Sequence, residues 1–207
     1  MSTKTEVKMF FQAIRQRDIT LVRSLIGAKP ELVHTVASAP PKKDDGQSPL
    51  QVAFKTGNLD IAHLLLDNGA DVNFIEKSSV HEWRAPVLHD ALRAAAFLAP
   101  KEGEEANKFH EAMVALKRLI ELGANPNATD SYGNSALIRA FLDSRIRLSS
   151  SSMYPHGISD ESLYQSLRQI FTVLIAAGAD PLASEGRKQP ATAYQHEPIL
   201  AALLSSN

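Results

Sequence analysis

The sequence predicts an all-α solenoid: helix-turn-helix units stacked side by side, joined by β-turn or hairpin fingers, about five units including degenerate ends. Two observations carry this. Three segments match one another, LLLDNGADVN (64–73), RLIELGANPN (118–127) and VLIAAGADPL (173–182), and their glycines Gly69, Gly123 and Gly178 are spaced by 54 and 55 residues. A second motif stands upstream of each: DGQSPLQVAF (45–54), APVLHDAL (85–92) and YGNSALIRAF (132–141). A helical hairpin of this kind cannot bury its own apolar face, so neighbours must stack to make a continuous core. The 207 residues therefore read as one domain, with units at 4–36, 44–77, 82–130, 131–184 and 185–207.

The first unit reads as an N-terminal cap. Phe10–Ile26 spaces Ala13, Ile14, Leu21, Val22, Leu25 and Ile26 for two helices, and Lys29-Pro30-Glu31 replaces the later Gly-Ala-Asp. In the next three units, Ala53, Ala91 and Ala140 permit close packing of the first helix. Leu50, Leu88 and Leu137 stand three residues earlier on the same face. The second helix supplies Leu65, Leu119 and Leu174, then stops at Gly69, Gly123 and Gly178, where a left-handed residue suits glycine. Asp18 and Asp60 stand early in second helices, where a carboxylate favours the exposed N–H groups. The last unit, 185–207, keeps the short helix PILAALL (198–204) with no turn after it, as expected of a C-terminal cap with one neighbour.

Residues 45–73 carry these features without a gap: Gly46, Ser48-Pro49-Leu50, Ala53, Gly57, Ile61, Leu64-Leu65-Leu66, Gly69-Ala70-Asp71 and Asn73. They resemble the ankyrin repeat, and the resemblance extends over nearly the whole chain. It implies a protein-binding solenoid without catalytic chemistry. It also implies that His89, in VLHDAL, makes a structural hydrogen bond between turns.

The chain departs from the family unit of about 33 residues, because its longer spacings leave about 21 extra residues per unit. Two insertions are expected between first and second helices, at 96–109 around APKEGEEANK and at 145–161 around RLSSSSMYPHGISD. Ser159 or Asp160 would cap the helix that follows the second. Two turns are also lengthened, Ala37–Asp45 and Glu76–Arg84, and Pro86-Val87 replaces the usual start of a first helix.

Composition removes several functions. Lys and Arg number 22 against 23 Asp and Glu, so no general excess of basic charge favours nucleic acid. There is no cysteine, which excludes disulfides and thiolate chemistry. No apolar run approaches membrane length, and the N-terminus lacks the pattern of a secretion signal, so a cytoplasmic protein without membrane contact is expected. Neither a metal-ligand run nor a phosphate-binding glycine loop is present, and no cofactor or metal is expected. The pairs Asp44-Asp45 and Glu104-Glu105 read as solvated charge. An enzymatic alternative would need a site built from the insertions around His110, Glu111 and His156.

The expected partner is a protein, met by a chain that is monomeric when free. A narrower alternative is a cytoplasmic inhibitor or immunity protein that neutralises one toxin or enzyme. By resemblance, contacts fall on the fingers and on the exposed end of each first helix. They are Arg15 and Gln16; then Asp44, Asp45, Gln47, Lys55 and Thr56; then Trp83, Arg84, Ala85 and Arg93; then Ser131, Tyr132, Asn134, Leu142 and Asp143. Trp83 is the only tryptophan. With Arg84, Arg93 and Tyr132 it has the composition of an interface hot spot, unless it folds back over its own long turn.

Overall fold

The computed structural model describes residues 2–80, 82–149 and 160–182. The expected C-terminal cap at 185–207, residues 150–159 of the second insertion, His81 and His156 lie outside the described residues.

Eight α-helices form among the described residues: α1 (Lys4–Arg15), α2 (Ile19–Ala28), α3 (Pro49–Lys55), α4 (Leu59–Asp67), α5 (Val87–Leu98), α6 (Asn107–Glu121), α7 (Ala136–Ser149) and α8 (Glu161–Ala176). They start where the residue chemistry supplies a cap. Thr3 and Glu6 make a reciprocal capping box at α1, and Ser48 and Gln51 make another at α3, where Pro49 takes the first turn. Asp18 accepts from the Leu21 amide at the start of α2, and Asp160 from the Leu163 amide at the start of α8. The expected glycine stops hold, with φ of +78° at Gly69, +94° at Gly123 and +86° at Gly178.

First helices stack in the order α1, α3, α5, α7, and second helices pack α2 on α4 and α4 on α6. One apolar core runs from Phe10 to Ala179 through these layers. Helix α3, held between α1 and α5, is buried from Pro49 to Phe54. Leu50, Leu65, Leu92 and Leu116 are wholly enclosed. Each contributes roughly 1.5–3 kcal/mol relative to an exposed side chain.

The insertions differ from the sequence reading. Their ends are helix. In the second unit the two helices span 7 and 9 residues; in the third they span 12 and 15, and in the fourth 14 and 16. Thus Ala96–Leu98 still belong to α5, Asn107–Phe109 to α6, and Arg145–Ser149 to α7. Only 99–106 remain as a connection in the third unit, and there Ala99 and Pro100 are buried. The helices continue because Ala95, Ala96, Phe109 and Ala112 bury against the core, so each added turn has an apolar face to cover. The extended ends are tied together. The Glu102 amide donates to the Asp160 carboxylate at 3.2 Å, and the Arg147 guanidinium donates to the Ala99 carbonyl at 2.9 Å.

Candidate functional site: the fingers and the first-helix face

Three fingers join the units, at 35–48, 68–86 and 122–135. Each of the last two closes on a single antiparallel bridge, Ile75 with Pro86 and Thr129 with Ser135. The two lengthened turns lie against each other. The Lys77 amide donates to the Gly46 carbonyl at 2.8 Å, and the Asp45 carboxylate accepts from the Ser79 amide at 2.7 Å and the Ser79 hydroxyl at 2.9 Å. Those bonds, the Ser79 amide first, hold the Asp45 carboxyl down at about 2. Asp44 pairs with Arg15 at 2.7 Å. The expectation that Asp44 and Asp45 are solvated charge is therefore corrected: they are 2% and 5% exposed, and both organise the first finger.

The next pair of fingers is joined by Ser131 and Asp130. The Ser131 amide donates to the Arg84 carbonyl, and the Arg84 amide to the Ser131 hydroxyl. The Asp130 carboxylate accepts from the amides of Tyr132 and Asn134, from the Asn134 side chain and from the Trp83 indole at 3.3 Å. Burial raises the Asp130 carboxyl, but the bonds from Asn134, Trp83 and Tyr132 outweigh it and the net direction is down. Trp83 is thus half-buried and reaches across to the following finger, rather than folding over its own turn. His89 fulfils the expected structural role: it is buried and its Nε2 lies 3.2 Å from the Ala128 carbonyl. Burial holds its imidazole down at about 4.

A second ladder joins the turns, and its residues recur in register along the chain. The Asn73 side chain donates to the Gly123 carbonyl and accepts from the Asn125 amide; Asn127 does the same with Gly178 and the Asp180 amide. Leu182 takes the next equivalent position and is 66% exposed.

The predicted contact residues divide into two groups. Gln16, Lys55, Arg84, Arg93, Ser131 and Tyr132 are exposed; Arg15, Thr56, Asn134 and Leu142 are partly so. Gln47, Ala85 and Asp143 are buried and do not reach the surface. Gln47 donates across to Glu76 of the next finger, and Asp143 is held by two bonds from the Arg139 guanidinium at 2.7 and 2.9 Å. Burial pushes the Asp143 carboxyl up, and Arg139 offsets part of that rise. Their register matched that of exposed positions, but each found a partner in its own or a neighbouring turn. Conversely, the lengthened helices expose Phe97 and Ile146, which sequence reasoning did not single out. Both stand nine residues after the equivalent Leu88 and Leu137. The Arg93 guanidinium lies over the Phe97 ring at 5.6 Å from its centroid.

Beneath this face, Asp90 is buried and accepts from the Gln51 side chain at 2.9 Å. Burial is the main cause that pushes its carboxyl to about 7, and nearby Glu76 adds to it. His110 and Glu111 are exposed on α6. Among the described residues no group of three or more His, Asp or Glu side chains is placed to hold a metal ion, and no helix is long and apolar enough to cross a membrane.

Residues 10–110 match the family model for ankyrin repeats, three copies. No curated protein matches the chain.

Proposed function

Since this chain is an ankyrin-repeat protein, we propose that it is a non-enzymatic module that binds a partner protein through its fingers and first-helix face. Ankyrin repeats generally mediate protein–protein interactions, and the arrangement here supports that role. The observation that carries it is the rigid finger-to-finger framework, which leaves Arg84 and Tyr132 exposed on positions fixed by Asp130 and Ser131. Binding residues held by locked neighbours lose less conformational freedom when a partner docks. Tyr132 is 51% exposed beside the half-buried Trp83, and Tyr, Trp and Arg are the residue types that dominate interface energetics.

The test is affinity capture from the native cell. Arg84→Ala with Tyr132→Ala should lose the captured protein while circular dichroism shows an intact fold. A control pair on the opposite layer, Lys117→Ala with Glu121→Ala on α6, should retain it. Equal capture by wild type and by the finger pair would place the binding surface elsewhere. Trp83 is left intact in this test because its indole also supports Asp130.

A further inference from the structure

The first helices carry a charge that the chain as a whole does not. The net charge of the protein is -1. Yet α1, α3, α5 and α7 together hold eight Lys and Arg against three carboxylates. The second helices hold five of each. None of the three carboxylates balances the exposed bases: Asp90 and Asp143 are buried, and Glu6 pairs with Lys29 at 2.8 Å. Lys4, Lys8, Lys55, Arg93 and Arg145 are exposed, and among the described residues no carboxylate lies within ion-pair distance of any of them.

Apolar groups are interleaved with these bases. Phe97 and Ile146, 43% and 46% exposed, stand at equivalent positions of neighbouring helices. At the other end, α1 and the first finger enclose a cavity of about 290 Å³, lined by Lys4, Lys8 and Phe11 on one side and by Pro40 and Pro41 on the other. Lys55 and Arg93 each stand five residues after the equivalent Leu50 and Leu88. Stacked helices lie roughly 8–10 Å apart. An extended chain advances about 3.3 Å per residue. Carboxylates about every third residue of an extended segment would therefore meet successive first helices.

We infer that the partner meets this face with an acidic segment that carries apolar anchors, its carboxylates on Lys55, Arg93 and Arg145 and its apolar side chains against Phe97 and Ile146. This rests on the binding role proposed above and specifies the chemistry of the partner. A protein segment fits better than a nucleic acid. The bases are spread one or two per helix among apolar side chains, whereas a polyanion rewards dense, continuous positive charge.

The inference is tested by selecting peptides on the full chain from an unbiased display library, then measuring the affinity of the selected peptides. Winners should be rich in Asp and Glu spaced among Leu, Phe or Trp, and should weaken steeply as salt is raised. The triple variant Lys55→Glu, Arg93→Glu, Arg145→Glu should bind them at least tenfold more weakly. The neutral triple Lys55→Gln, Arg93→Gln, Arg145→Gln should fall between, with circular dichroism confirming that both fold. Selection of neutral or basic peptides, of no peptide at all, or of acidic peptides indifferent to the triple reversal would overturn it. So would tighter binding of a labelled 20-nucleotide strand that the same reversal abolishes. A native partner that is lost with Arg84→Ala and Tyr132→Ala but bound equally by the charge-reversed triple would sink this inference and leave the binding role standing.

Discussion

Gly46→Ala tests how firmly the first two fingers are joined. Gly46 has φ of +81°, which costs an L-residue about 1–2 kcal/mol. A Cβ there would lie 2.1 Å from the Ser78 amide nitrogen and 2.3 Å from the Lys77 carbonyl carbon. Both are backbone atoms, so no rotamer change relieves the collision and the second finger must move away. The bond from the Lys77 amide at 2.8 Å is then broken, and so are those from Ser79 to the Asp45 carboxylate. An ordinary hydrogen bond contributes about 1 kcal/mol and one to a charged group about 1.5–3 kcal/mol. With the two Ser79 bonds to one carboxylate oxygen counted as a single charged interaction, the expected loss is about 4 kcal/mol. Gly69→Ala is the control: its φ is +78°, but an added Cβ meets nothing within 4 Å, so only the backbone penalty of about 1–2 kcal/mol applies. Urea denaturation followed by circular dichroism measures both. With a slope of about 2 kcal/mol/M, Gly46→Ala should lower the midpoint by about 2 M and Gly69→Ala by less than 1 M. Equal midpoint shifts would refute the finger contact as a source of stability.

Other outcomes follow from the buried acids. The folded carboxyl of Asp90 is raised to about 7 against an ordinary 3.8, so the folded state holds a proton that the unfolded state releases. Stability from this group is therefore full below pH 4, falls as pH rises towards 7 and stays low above it, by at most roughly 4 kcal/mol. Asp90→Asn should leave stability near pH 4 almost unchanged and raise it at pH 8; a constant difference across that range would contradict the buried proton. Arg139→Ala should destabilise by about 3 kcal/mol or more because it strands the buried Asp143, and Arg139→Ala with Asp143→Ala should recover much of that loss in urea titrations. Asp130→Ala removes an acceptor shared by Trp83, Tyr132 and Asn134, so it should cost about 2–3 kcal/mol and shift Trp83 fluorescence to the red. Unchanged emission would mean that the indole does not depend on Asp130.

Much of the fold was legible because its signals are local. Gly69, Gly123 and Gly178 fix helix ends by their own backbone preference, and Ser48 with Gln51 or Asp18 fix helix starts within three residues. His89 was legible through the repeat register. The helix extensions were not. Pro100 and Gly103 marked a break, but the burial of Ala95, Ala96 and Phe109 that carries α5 and α6 towards it depends on neighbouring units. The site was only half legible for the same reason. Register placed Arg84, Arg93 and Tyr132 at the surface, yet it could not show that Gln47 would be enclosed against Glu76 or that Asp45 would be held by the next finger. Whether a polar side chain faces a partner or its own protein is settled by residues some 30 to 50 positions away, such as Ser79 for Asp45 and Asp130 for Trp83.

Hydrogen exchange on the protein with its captured partner bound tests the binding face most directly. Protection should appear in the fingers, at 76–86 and 129–135, and along the first helices α3, α5 and α7. Protection confined to α2, α4 and α6, with the fingers exchanging as in the free protein, would contradict it.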